Sequence, residues 1–259
     1  MTRRYGWLKD APDSRDLMLA PAPTHDLPEN IDLRPTCPPV YDQGDLGSCT
    51  GNATAGAVQF ERIKQNLTDA LRIPSRLFIY YGERLIEHTI SEDAGAQIRD
   101  GIKVLAKHGT CFEGSGPADW AYDTAKFTTK PPAACFAAAL KDRVIQYKRV
   151  VQSEGQIKAC LAAGYPVVFG FTVYESFESP GVAKSGQMPM PHPGENVLGG
   201  HAVLCVGYDD AAQSFIVRNS WGSGWGDSGY FHMPYRFLTD PSQASDFWTI
   251  RLVSDDDGA

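Results

Sequence analysis

The segment from Cys49 to about Gln65 constrains this chain more than any other. Gly51, Ala53, Ala55, Gly56 and Ala57 crowd its first half, and Val58, Phe60 and Ile63 follow. The pattern predicts a helix, although glycine inside a helix costs on the order of 1 kcal/mol relative to alanine. A helix that keeps such residues is expected to be central, with other elements approaching its backbone closely. The loop ahead of it, Gln43-Gly44-Asp45-Leu46-Gly47-Ser48, delivers a cysteine onto its first turn.

Two further helices are predicted in this half. One runs from Ser75 to Glu87, with Leu77, Tyr80 and Leu85 in register, and one from Ile98 to Lys107, stopped by Gly109. A shorter Ala-rich helix is expected from Ala133 to Lys141. The second half changes character. After a helix opened by Ser153 and closed near Gly164, apolar runs at Tyr165–Tyr174, His201–Tyr208, Ser214–Asn219, Gly229–Met233 and Phe247–Val253 read as strands. Helices first and an antiparallel sheet second make this an α+β chain of two lobes. The helical lobe is placed at about 43–145, and the β-rich lobe at about 146–235 together with 32–42. Residues 236–259 form a C-terminal strand and an acidic tail ending in Asp255-Asp256-Asp257-Gly258-Ala259. Residues 1–31, rich in Pro and Asp, form an extended arm that lies along the body.

Composition removes several functions. Over 259 residues the net charge is −7, and without clustered positive charge the chain is not expected to bind nucleic acid. The longest apolar stretch, Val167 to Val173, is too short to span a bilayer, so no membrane association is expected. Two early arginines with no apolar core behind them do not make a classical signal peptide, which points to the cytoplasm or to export by another route. The six cysteines are scattered with no Cys-x-x-Cys pair, and the histidines show no ligand spacing. Neither a disulfide framework nor a metal site nor any cofactor is expected. A monomer is expected.

The chemistry concentrates at three places. Cys49 sits where a glycine-rich loop becomes a helix, and a helix N-terminus stabilises the thiolate form. Gly199-Gly200-His201-Ala202-Val203 carries a histidine into a strand. Asn219-Ser220-Trp221-Gly222 places a side-chain amide at a strand end beside a tryptophan, with Trp225 close behind and expected in the core. Two decoys fail. Gly224, Gly226 and Gly229 match a dinucleotide fingerprint by letter but lead into a strand rather than a helix. Gly226-Asp227-Ser228-Gly229 imitates a serine-peptidase loop without that family's upstream partners.

Together Gln43-Gly44-x-x-Gly47-Ser48-Cys49, His201-Ala202-Val203 and Asn219-Ser220-Trp221-Gly222 resemble the papain/cathepsin cysteine peptidases, in the bacterial-type branch with a short N-terminal arm. The separation of 152 residues between Cys49 and His201 is close to that family's usual interval. The similarity runs from about Asp32 to Tyr235. Thr50 stands where an aromatic residue is usual, and Leu46 where a half-cystine is usual. The resemblance implies a papain-like fold with a helical left lobe, a barrel-like antiparallel right lobe and a cleft between them, so that residues 32–235 form the peptidase domain. It also implies acyl transfer through a thiolate–imidazolium pair of Cys49 and His201. Asn219 orients the imidazole, Trp221 shields that hydrogen bond, and Gln43 with the Cys49 N–H receives the oxyanion. Gly95, and with it Gly200, is carried over as backbone that lies against an extended polypeptide substrate. The alternatives are an amidase or transpeptidase sharing the triad, and a peptide-binding homologue with a silent site. The arm's Tyr5, Trp7, Leu8 and Leu17 are too apolar to float free, so residues 1 to about 27 are expected to pack across the body, over or beside the cleft, either as a short regulatory pro-segment that inhibits the enzyme or as a strap between the lobes.

Overall fold

The computed structural model describes residues 4–254. The acidic tail from Asp255 onward and the first three residues of the arm lie outside them. In chain order the elements are β1 (Trp7–Leu8), β2 (Asn30–Asp32), α1 (Cys49–Lys64), α2 (Arg76–Ile86), β3 (Ala96–Gln97), α3 (Ile98–Lys107), α4 (Ala133–Ala139), β4 (Val144–Arg149), α5 (Glu154–Ala162), β5 (Val167–Tyr174), α6 (Pro180–Ser185), β6 (Val197–Asp209), β7 (Ser214–Arg218), β8 (Tyr230–Pro234), α7 (Tyr235–Leu238) and β9 (Ala244–Val253). The architecture is the expected α+β one. Helices α1 to α3 pack together ahead of an antiparallel seven-stranded sheet ordered β4-β9-β5-β6-β7-β8, with β2 added along β6.

The small residues of α1 do what their composition implies. A Cβ on Gly51 would stand 2.8 Å from the Arg76 carbonyl, so α2 lies directly on the α1 backbone. Ala53, Ala57 and Val58 meet Ala202, Leu204 and Val206 of β6 in one buried cluster, which also holds Ile98, Ile102 and Leu105 of α3. That cluster joins the helices to the sheet. A second core, built around Phe169, Phe171, Phe177, Phe215 and Phe231, fills the far side of the sheet. Strand β5 separates the two, with Val168 in the first core and Val167 and Phe169 in the second. Burial on both faces explains why its sequence is continuously apolar rather than alternating.

Strands β4 and β6 are among those that depart from the sequence expectation. Strand β4 pairs with β9 at the sheet edge, but its Ile145, Gln146 and Lys148 are partly solvated, so no apolar run announces it. Strand β6 starts at Val197, four residues before His201, because Gly199 and Gly200 pair with Val173 and Thr172 of β5. His201 is therefore inside a strand and held from both sides. All six cysteines are free.

Candidate active site

Cys49 opens α1 with Ser48 as the preceding cap residue. Ser48 makes no side-chain cap to the helix, so its hydroxyl is not directed onto the first-turn amides as such residues usually do. The helix N-terminus is left facing the sulfur. Cys49 is fully buried, and the backbone amides of Ala202, Gly6 and Thr50 face its thiol. Burial nonetheless dominates and pushes the thiol up to about 12.

The Ala202 amide faces the sulfur, so β6 crosses the N-terminal end of α1, and His201 precedes Ala202 in that strand. His201 Nε2 lies 2.8 Å from Asn219 Oδ1. An amide oxygen can only accept, so Nε2 carries the proton and Nδ1 is the basic nitrogen of the neutral ring. Asn219 is held in turn, because its Oδ1 also accepts from the Ser220 N–H at 2.8 Å and its own N–H donates to the Gly229 carbonyl. Trp221 stacks on the imidazole with ring centres 4.9 Å apart at 24°. Trp225 stands edge-on behind it at 4.9 Å and belongs to the sheet core, as expected.

Gln43 enters from the other lobe. Its N–H donates to the Ser220 carbonyl at 2.9 Å, and its Oε1 accepts the Ser220 hydroxyl at 2.6 Å. One hydrogen of Nε2 goes to the Leu46 carbonyl at 3.0 Å, and the amide carries a second. Fixing the oxygen end this way settles which end of the amide donates. Ser220 was not singled out in the sequence, since a serine beside Asn219 carries no signal of its own. Its role depends on residues 41–43 crossing to pair with 220–222.

The arm runs through this site. Tyr5 lies edge-on to both His201 and Trp221, at 6.1 and 6.4 Å, and its hydroxyl bonds Glu178. The Gly6 carbonyl accepts from the Ala96 N–H at 2.7 Å, after which β1 pairs in parallel with β3. A Cβ on Gly6 would overlap the Gly47 carbonyl, and one on Gly95 would overlap Gly6. Trp7 lies flat against Gly170 and Gly200, where any side chain would collide with it, and its Nε1 donates to Asp246 at 3.2 Å. Gly95 and Gly200 thus do lie against an extended backbone, and that backbone is the chain's own arm.

Beyond the cleft the arm is clamped electrostatically. Asp16 takes two bonds from the Arg99 guanidinium, at 2.7 and 3.0 Å, and one from Arg149 at 2.8 Å. Asp10 accepts from Trp248 Nε1 at 3.1 Å and the Arg99 N–H at 3.1 Å, while its own N–H donates to Asp246. Burial, reinforced by the Asp246 carboxylate, raises Asp10 to about 6. At the other end Arg4 pairs with Asp93, which also accepts from Gly47 N–H and the Tyr80 hydroxyl. Among the described residues no group of three or more His, Cys, Asp or Glu could hold a metal ion.

A cysteine on a helix N-terminus beside a His–Asn pair, in a cleft between a helical and a sheet lobe, defines the thiol peptidases of papain type. Residues 27–238 match the papain family of cysteine proteases, and the chain belongs to that family. Xylellain, a cysteine protease from Xylella fastidiosa, has a solved structure that superposes with a TM-score of 0.87 at 44% identity over 96% of each chain. An uncharacterised peptidase C1-like protein of Acanthamoeba polyphaga mimivirus is 43% identical, over 98% of this chain and 89% of its own length. A cathepsin B-like protein of Giardia intestinalis is 30% identical, over 80% of this chain and 69% of its own length. The protein is a cysteine peptidase.

Proposed function

We propose that this peptidase works through Cys49, His201, Asn219 and Gln43 and is silenced by its own N-terminal arm. His201 Nδ1 takes the Cys49 proton, giving a thiolate that the helix N-terminus stabilises. The sulfur attacks a peptide carbonyl, and the oxyanion is received by the Cys49 N–H and the second hydrogen of Gln43 Nε2. The imidazolium then protonates the leaving amine, and water resolves the thioester. Asn219 keeps the ring in the tautomer and plane this requires, and Trp221 keeps water off the pair, where a dry hydrogen bond is stronger than a wet one.

The observation that carries the self-inhibited reading is the seating of Gly6. Its carbonyl is bonded to Ala96 while its amide faces the Cys49 sulfur, so the arm occupies both the backbone rail and the reacting centre. A substrate reaches the sulfur only after residues 5–8 leave.

Full-length protein carrying Gly6→Ala tests this, since one methyl group placed on the Gly47 carbonyl unseats the arm without touching the catalytic groups. Cleavage of a peptide library and labelling of Cys49 by an epoxide reagent are expected to rise at least about tenfold over the parent, the clearance of an occluded site. Equal rates in both proteins would reduce the arm to a strap between lobes. Absence of labelling in both would remove the peptidase assignment of Cys49.

A further inference from the structure

A polar chain converges on Gln43 from a loop that otherwise has no part in the site. Tyr122 lies between α3 and α4, and its hydroxyl donates to the Gln43 carbonyl at 2.9 Å. The same oxygen stands 2.5 Å from Ser48 Oγ. Because the phenol proton is committed to a carbonyl, which can only accept, the serine hydroxyl must be the donor in that contact. Ser48 Oγ in turn accepts from Asn52 Nδ2 at 3.1 Å, and Asn52 Oδ1 accepts from Arg76 Nη1 at 3.0 Å. The direction is thus set throughout, from a guanidinium through Asn52, Ser48 and Tyr122 to the Gln43 carbonyl. A chain with one polarity that starts on a cation strengthens each successive bond.

Arg76 also binds the Tyr122 ring, with its guanidinium carbon 3.9 Å from the ring centre, and donates to the Asp42 carbonyl at 3.0 Å. Glu113 holds the guanidinium from the far side at 2.6 Å. Tyr122 is therefore fixed at its face and at its hydroxyl. It ties together the backbone of Gln43 and the cap residue of the helix that begins with Cys49, the two pieces of chain that supply the oxyanion donors.

We propose that Tyr122 is a positioning residue of the oxyanion hole, holding the Gln43 amide at its working distance from the Cys49 N–H. The proposal rests on the reading of those two groups as the oxyanion donors. Tyr122 acts through Gln43 and Ser48, the groups it bonds. It explains why Ser48 makes no helix cap: its hydroxyl is used in the chain to Tyr122. The consequence is selective. Steps that form a tetrahedral oxyanion depend on Tyr122, whereas simple alkylation of the sulfur does not.

The test is Tyr122→Phe, which keeps the ring under Arg76 and removes only the hydroxyl, made in the full-length Gly6→Ala protein. Full loss of an oxyanion donor costs about 10² to 10³ in rate, and displacement of one is expected to cost about tenfold in kcat. KM and the rate of Cys49 alkylation by iodoacetamide are expected to stay within about twofold, while affinity for a peptide aldehyde falls in step with kcat. Ser48→Ala, which breaks the same chain one bond earlier, is expected to show the same selectivity. In a Gln43→Ala background Tyr122→Phe is expected to cost less than about twofold more, because coupled residues are not additive. An unchanged kcat, or alkylation falling in parallel with it, overturns the role of Tyr122 while leaving the peptidase reading intact. A Gly6→Ala parent that neither turns over nor labels overturns both, since there is then no oxyanion hole to position.

Discussion

Ser220 donates its hydroxyl to Gln43 Oε1 at 2.6 Å, and this bond joins the two halves of the site across the lobe boundary. Ser220 follows Asn219, so the amide bonded to His201 and the Gln43 amide, proposed as the oxyanion donor, are linked through one side chain. Ser220→Ala would free the Gln43 amide to rotate. A hydrogen bond of this kind is worth about 1 kcal/mol net. The expected outcome is a fall in kcat of roughly fivefold at unchanged KM, measured in the Gly6→Ala protein to keep the arm out of the comparison.

Trp221 stacks on His201 and lies edge-on to Trp225. Trp221→Ala removes a buried ring from the sheet core, which is expected to cost roughly 3 kcal/mol or more and to lower the melting temperature accordingly. It also admits water to the His201–Asn219 bond. Trp221→Phe, which restores much of the packing but shields less of that bond, is expected to recover stability more fully than kcat. Equal recovery of both would make the shield irrelevant.

Trp7 fills the space over Gly170 and Gly200 and bonds Asp246. Trp7→Ala empties that space and is expected to raise the labelling rate of Cys49 in the full-length protein by about tenfold or more, since docking of one aromatic side chain contributes about 1.5–3 kcal/mol. Unchanged labelling would show that the clamp at Asp10 and Asp16 holds the arm by itself.

Asp10 gives the arm a dependence on pH. Its carboxyl is raised from 3.8 to about 6, first by burial and then by Asp246, and a released arm would return it to its ordinary value. A docked Asp10 therefore keeps a proton that a released one loses between about pH 4 and 6. This contribution to docking is fully present below that window and is lost as pH rises through it. Asp10→Asn carries no such titration. The ratio of Cys49 labelling in wild type to that in Asp10→Asn is expected to rise between pH 4.5 and 7.5 by roughly twenty- to thirtyfold, the part of a two-unit pKa difference that falls in that range. A flat ratio would show that Asp10 titrates alike in both states.

Local pattern carried most of the fold. The helices from Cys49, Ser75 and Ile98 and the strands around Val167, His201 and Ser214 announce themselves, because each buries one face or both against a core and its apolar spacing records that. Strand β4 was not legible, since an edge strand partly in water needs no such spacing. The candidate site was legible where chemistry demands a rare residue in a distinctive frame, as at Cys49, His201 and Asn219. It was not legible at Ser220 or Tyr122, whose partners lie 177 and 79 residues away in the chain. Nothing near either residue encodes those pairings.

The amino-acid order by itself determined the α+β division and the central small-residue helix, and it pointed to the proposed nucleophile, base and orienting amide, because these follow from periodicity and side-chain chemistry within short stretches. Only the tertiary structure decided that the arm enters the cleft rather than passing beside it. That outcome depends on Gly6 meeting Gly47 and Ala96, Trp7 meeting Gly170 and Gly200, and Asp10 and Asp16 meeting Arg99 and Arg149. Such contacts join residues from about 40 to nearly 200 positions apart, and their fit is set by packing distances that exist only once both lobes have formed.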